Sequence, residues 1–498
     1  MFRCCQASAL PALFAATLCA QAAPGPGARS QAAAAPTRAA LVAGDAPAST
    51  QLPADVRAAL QRAQVPDQAL AVVLLDVSSG RRVLEWQARK PVNPASLVKL
   101  LTTMAALDRL GPAWTWATTV WLAGPVREGV LEGSVHIKGS GDPKLVLERL
   151  WLLLRRVQQL GVREIRGDIV IDQSAFAVPD GNPAEFDGEP LRPYNVRPTA
   201  LLLNYRSALY RFVPVPALGV AQVLVEPTLA GTVVDRSVPL AAGGCGDWRA
   251  ALKASFEPAR TRFAGSYSPA CGELVWPVAD PEPASFDARL LLGLWRDMGG
   301  SLTGTVREGP APSTAAPSFE QTSLPLLDMV RDNNKFSNNV MTQQLFLTLA
   351  LQANPGLPAT PAAAREVLLR WLTARLGEAA AEASIDNGSG LSRETRISAG
   401  LLARLLTQAY DSPVMSELMS SLPITGVDGT LRRSRASAGR AHLKTGSLRD
   451  VAGLAGYVLS NSGRRFVLVA VINHPQAGAA RPALEALVQW AVRDTPLR

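Results

Sequence analysis

Ser96-Leu97-Val98-Lys99, preceded by Pro91 and Pro94 and followed by an apolar run through Leu110 to Gly111, reads as a helix that begins near Ser96. A serine and a lysine three residues apart on a helix share one face, one turn from each other. Only this one of the chain's seven lysines has serine at that spacing, and the other 43 Lys/Arg positions are all arginine. A desolvated lysine can take a proton near neutral pH, whereas arginine cannot. Ser96 is therefore a candidate nucleophile with Lys99 as its base. The helix N-terminus would favour negative charge on the serine oxygen and disfavour the ammonium. The plainer alternative makes Ser96 a helix N-cap, but a capping box would carry Glu or Gln three residues on, not Lys.

On the N-terminal side of this helix, Ala71-Val72-Val73-Leu74-Leu75, a Ser78-Ser79-Gly80 turn and Val83 to Trp86 read as a β-hairpin. The far end of the chain repeats the pattern. Gly453 to Leu459, a turn at Asn461-Ser462-Gly463 and Phe466 to Ile472 read as strands, followed by a helix from Pro482 to about Arg493. Residues 113 to 285 are richer in short Val/Ile runs broken by Gly and Pro and look mostly β and loop, while long helical patterns return after Ser323. Strand pairs at both ends with helices between them imply one α+β domain, residues 51–112 and 286–498, split by an insertion at 113–285.

The 498 residues exceed what one hydrophobic core holds, and a 48% hydrophobic, 18% charged composition is that of a globular protein. Residues 1–23 read as a secretory signal: Arg3, an apolar stretch from Ala9 to Ala20 broken by Pro11, and an Ala-Gln-Ala-Ala end. Residues 24–50 read as an Ala/Pro-rich linker, and no membrane span is expected in the mature chain. Three of the five cysteines fall in the presumed signal, which leaves Cys245 and Cys271. In an oxidising compartment these two should pair, and the alternative is two free thiols. The formal charge of +9 suits an anionic polymer or surface, but no basic run with interleaved aromatics points to nucleic acid. With three histidines and no clustered ligands, neither a Ser-His-Asp hydrolase nor a metal site is supported, and no cofactor is expected.

Two further groups give the first motif its meaning. Lys335-Phe336-Ser337-Asn338-Asn339 opens a helical pattern, and Lys444-Thr445-Gly446-Ser447 precedes the terminal strands. Each is commonplace alone. Ser-x-x-Lys, Ser-x-Asn and Lys-Thr-Gly in that order form the signature of penicillin-binding proteins and serine β-lactamases. Four longer stretches are more specific: Gly139-Ser140-Gly141-Asp142-Pro143, Gly167 to Asp172, Asp386 to Arg393, and Pro423 to Leu431. On these residues the chain after Leu52 resembles the D-alanyl-D-alanine carboxypeptidase/endopeptidase family, the class C low-molecular-mass penicillin-binding proteins. Many relatives have Asp where this chain has Asn338.

The resemblance implies a transpeptidase-like α+β domain, with an antiparallel sheet and helices, interrupted by a large mostly-β insertion of one or two domains, one nested in the other. It implies an exported, periplasmic enzyme acting on peptidoglycan stem peptides and cross-links, with β-lactam antibiotics as covalent inhibitors. Ser96, Lys99, Ser337, Asn339 and Lys444 would be catalytic. Thr445, Gly446 and Ser447 would meet the substrate beside them, and Asp172 and Arg393 would meet the far end of a diaminopimelate side chain. A β-lactamase shares the three motifs, but no Glu-x-x-Leu-Asn element is evident between the first two. A catalytically silent wall-binding protein of the same fold is the remaining rival, although a pure binder has no need of Lys99.

Overall fold

The apolar run at residues 70–76 carries no polar alternation, and a strand of that kind must be covered on both faces. A computed structural model, which describes residues 48–494, shows how. Strands Leu70–Asp76 and Arg82–Trp86 form the expected hairpin, and Leu70–Asp76 also pairs antiparallel with Arg465–Asn473, Leu70 opposite Ile472. Strands Val451–Leu459 and Ala441–Leu448 complete a five-stranded antiparallel sheet. Val72 and Leu74 face a core shared with helices Ala54–Arg62 and Arg481–Arg493. Ala71, Val73 and Leu75 face the opposite core, with helices Lys99–Leu110, Asn339–Ala353 and Ala399–Tyr410. The sheet thus joins the two ends of the chain, and its strand Ala441–Leu448 is left as an edge. The presumed signal, most of the linker, and Cys4, Cys5 and Cys19 lie outside the described residues.

The insertion is larger than expected. Strand Phe319–Thr322 pairs antiparallel with Ala117–Ala123, in a five-stranded sheet that also holds Ser134–Lys138, Ile169–Asp172 and Val306–Glu308. Helix Pro283–Asp297 packs Phe286, Leu290, Leu291 and Trp295 into the core beneath that sheet. The boundary expected at 285/286 therefore falls inside the inserted unit. Chain entry and exit lie side by side near Trp116 and Ser323, where the Trp116 N–H donates to Ser323 Oγ at 3.0 Å and the Ser323 N–H to Trp116 O at 2.9 Å. The segment read as mostly β and loop also holds a 13-residue helix, Leu147–Gln159.

Within the insertion, strands Ser207–Val215, Val220–Glu226, Ser237–Pro239 and Leu274–Ala279 form a separate sheet beside a small three-stranded one. Their core is aromatic, built on Tyr210, Phe212, Phe263 and Tyr267. Cys245 and Cys271 are bonded here, with Cα atoms 4.7 Å apart.

Candidate active site

Ser96 sits in a 3-10 turn, Ala95–Val98, that runs directly into helix Lys99–Leu110. Neither segment has a side-chain cap, so Ser96 is not an N-cap. Its hydroxyl faces Lys99 Nζ at 3.0 Å. Lys99 is fully buried, with Nζ 2.6 Å from Asn339 Oδ1 and also bonded to the Ser389 carbonyl. Burial, and then the like charge of Lys444, holds the Lys99 amine well below the ordinary lysine range.

Ser337 does not open a helix as its sequence suggests. Helix Leu326–Phe336 ends there, Ser337 takes a left-handed conformation with φ 57°, and Asn338 begins the next helix. Asn338 Oδ1 accepts the Met341 N–H at 3.1 Å. Asp caps as well as Asn, so the departure from relatives leaves this break intact. The break presents Ser337 Oγ to Lys444 Nζ at 2.8 Å. Asn339 starts the second helix and faces Lys99 across the cleft.

Lys444 lies within the edge strand Ala441–Leu448 rather than before the terminal strands. It is fully buried, donates also to Thr445 O at 2.8 Å, and is pushed down to about 7 by burial. Gly446 has a steric reason: a Cβ there would lie 2.6 Å from the Pro94 carbonyl, so only glycine lets this strand pack against the turn bearing Ser96. Ser96, Ser337, Thr445, Gly446 and Ser447 line one cleft of about 430 Å3.

Two of the longer stretches brace this centre. Thr102 Oγ1 donates to Gly388 O at 2.8 Å, and at Gly390, with φ +84°, a Cβ would lie 2.1 Å from Ala95 O. Asp428 accepts Lys335 Nζ at 2.6 Å and the Ile424 N–H at 2.8 Å, tying the Ser337 break to the loop at Thr430. Thr445 Oγ1 donates to Thr430 Oγ1 at 2.8 Å. Thr430 and Ser389 belong to the stretches Pro423 to Leu431 and Asp386 to Arg393, but nothing in the sequence marks the part that either plays. Arg481, whose guanidinium donates to Ser447 Oγ at 3.2 Å, belongs to no motif and is invisible in the sequence.

Arg393 and Asp172 are not brought together. Arg393 lines a second cleft of about 470 Å3, pairs with Asp450 at 3.2 Å and lies over the Phe186 ring at 4.8 Å. Asp172 is only 3% exposed and lines neither cleft. Its carboxylate accepts the Ser174 and Ala311 N–H groups, both at 2.9 Å, and faces Lys138 Nζ at 3.7 Å. The expectation that Asp172 contacts substrate is therefore corrected: its oxygens are already satisfied by backbone amides of the loops that follow strands Ile169–Asp172 and Val306–Glu308. Among the described residues no group of His, Cys, Asp and Glu could hold a metal, and no helix is long and apolar enough to cross a membrane.

A helix-backed antiparallel sheet whose edge strand faces a Ser/Lys turn and a Ser-x-Asn break is the architecture of the penicillin-binding serine hydrolases. The model of the D-Ala-D-Ala carboxypeptidase 3 (S13) family matches residues 52–494, and the chain belongs to that family as a serine-type D-Ala-D-Ala carboxypeptidase. It is 28% identical to the D-alanyl-D-alanine carboxypeptidase of Actinomadura sp. (strain R39), over 90% of this chain and 86% of that protein. In fold it is similar to penicillin binding protein 4 (dacB) of Haemophilus influenzae. The TM-score is 0.68 at 21% identity, covering 87% of this chain and 99% of that one. That protein's complex with a β-lactam matches at TM-score 0.64 and 20% identity, covering 84% and 96%.

Proposed function

We propose that this carboxypeptidase is exported, works through an acyl-enzyme at Ser96, and cuts peptidoglycan cross-links as well as free stem peptides. The observation that carries the mechanism is the 3.0 Å approach of Ser96 Oγ to a fully buried lysine whose ammonium form is disfavoured. Neutral Lys99 takes the hydroxyl proton as Oγ attacks the carbonyl of the penultimate D-alanine. The backbone N–H groups of Ser96 and Ser447 hold the oxyanion, a contribution often worth ~3 to 4 kcal/mol. The C–N bond then breaks, and the proton passes through Ser337 to the leaving amine, leaving an ester on Ser96. Water hydrolyses the ester by the same proton path in reverse. Lys444, Thr445 and Ser447 face the carboxylate beside the scissile bond, and Asn339 Nδ2 faces the substrate amide.

Penicillins present a reactive carbonyl and a carboxylate in the same relation, so they would acylate Ser96 and leave slowly. Arg393 in its aromatic-walled cleft would meet the carboxylate at the far end of diaminopimelate. The chemistry of the substrate and the signal-like residues 1–23 support a periplasmic location. Incubation with a stem pentapeptide and with cross-linked dimers tests the whole reading. The expected products are free D-alanine and monomers; rapid hydrolysis of penicillin with neither product would favour a β-lactamase.

A further inference from the structure

The first residue of helix Arg481–Arg493 is badly placed for the helix itself. A cation in the first turn faces the positive end of the backbone dipole and is disfavoured there. Ala480 offers no side-chain cap, but Pro482 has no N–H and the Ala483 N–H donates to Ala480 O at 2.9 Å, so an anion here would be held by the Arg481 side chain rather than by the helix end. Nor does a carboxylate neutralise Arg481, which has no ion-pair partner among the described residues. Glu485, one turn along, lines the same cleft, but its Oε1 already accepts the Arg435 N–H at 3.2 Å. The guanidinium is instead exposed and held at Ser447 Oγ, 3.2 Å away.

Thr430, Thr445, Ser447 and Arg481 line one cleft with Ser96. The Thr430–Thr445 hydroxyl pair and the Arg481–Ser447 pair thus flank the place where a leaving group would sit. Hydroxyls and an arginine fork together form a site for a planar anion.

Resting on the peptidase reading above, we infer that Arg481 is a specificity residue that binds the free α-carboxylate of the leaving residue. Terminal D-alanine carries that group, and so does the D-centre of diaminopimelate in a cross-link. One recogniser therefore serves both reactions and rejects substrates whose leaving residue is amidated. The competing account is that Arg481 merely steadies Ser447.

The test compares kcat/KM for two peptides that differ only in a C-terminal D-alanine acid or amide. Wild type should prefer the acid by at least ~100-fold. Arg481→Gln should lose 10- to 100-fold on the acid and less than about threefold on the amide, so that the preference collapses through KM. Arg481→Lys, which keeps the charge without the fork, should recover part of it. An equal loss on both peptides, or a preference within threefold of wild type in Arg481→Gln, would overturn the assignment. Wild type cleaving neither peptide would overturn the peptidase reading itself, and this inference with it.

Discussion

Replacing Lys444 by methionine should stabilise the protein while crippling it. Lys444 is fully buried, and burial lowers it from an ordinary 10.5 to about 7. Folding below pH 7 must therefore hold a charge the site disfavours. A shift of that size corresponds to a penalty of about 5 kcal/mol at pH 6, falling to about 2 kcal/mol at pH 9. The sign follows from proton counts. Between the folded value near 7 and the unfolded value near 10.5, the unfolded chain holds more protons, so wild-type stability rises with pH across that window. Against this, Ser337 Oγ and the Thr445 carbonyl lose their partner, a cost of roughly 2 kcal/mol together because both residues are partly exposed. Lys99 adds to the gain, since removing Lys444 removes a like charge beside it. The net expectation for Lys444→Met is a gain of about 2 to 3 kcal/mol at pH 6, shrinking to about zero at pH 9. Urea unfolding of both proteins at several pH values measures it, alongside loss of peptide turnover. A variant less stable than wild type at pH 6, or a difference that does not change with pH, would refute the reasoning.

Three further outcomes are expected. Lys99→Arg should abolish acylation although it keeps positive charge, because guanidinium cannot accept a proton at neutral pH; retention of a substantial part of wild-type acylation by penicillin would remove Lys99 as the base. Gly390→Ala should reduce acylation at least ~100-fold, since its Cβ would meet the Ala95 carbonyl and displace the turn that carries Ser96; near-normal acylation kinetics would contradict that. Replacing Cys245 and Cys271 together by serine should destabilise the aromatic-cored inner unit by on the order of 3 kcal/mol, given a sequence separation of 26, and leave penicillin acylation unaltered. Proteolysis within residues 207–279, with and without the substitutions, reads out that loss.

The outer architecture was legible because its signals are local. An unbroken apolar strand at 70–76 and two more at the end of the chain admit little besides a sheet buried on both faces. The three motifs likewise marked the residues that the fold brings together. What could not be read depends on contacts distant in sequence. The insertion's true return at Phe319–Thr322 is set by pairing with Ala117–Ala123, some two hundred residues earlier, and four residues of alternating exposure carry no distinctive signal. Lys335 to Asn339 resembled a helix start because the break rests on one residue with positive φ, a conformation that no particular residue type at 337 announces. Asp172 looked like a recognition residue in its motif, and only the folded structure shows its oxygens occupied by backbone amides. Arg481 was silent because an arginine at the start of a helix is ordinary until Ser447, 34 residues away, is seen beside it.

The central claim is that Ser96 is the nucleophile that Lys99 activates. Mass spectrometry of the intact protein after incubation with benzylpenicillin, followed by peptide mapping, tests it most directly. Wild type should gain one penicilloyl group on the peptide containing Ser96 and lose it slowly, and Ser96→Ala should gain none. A label on another residue, or equal labelling of Ser96→Ala, would contradict the account.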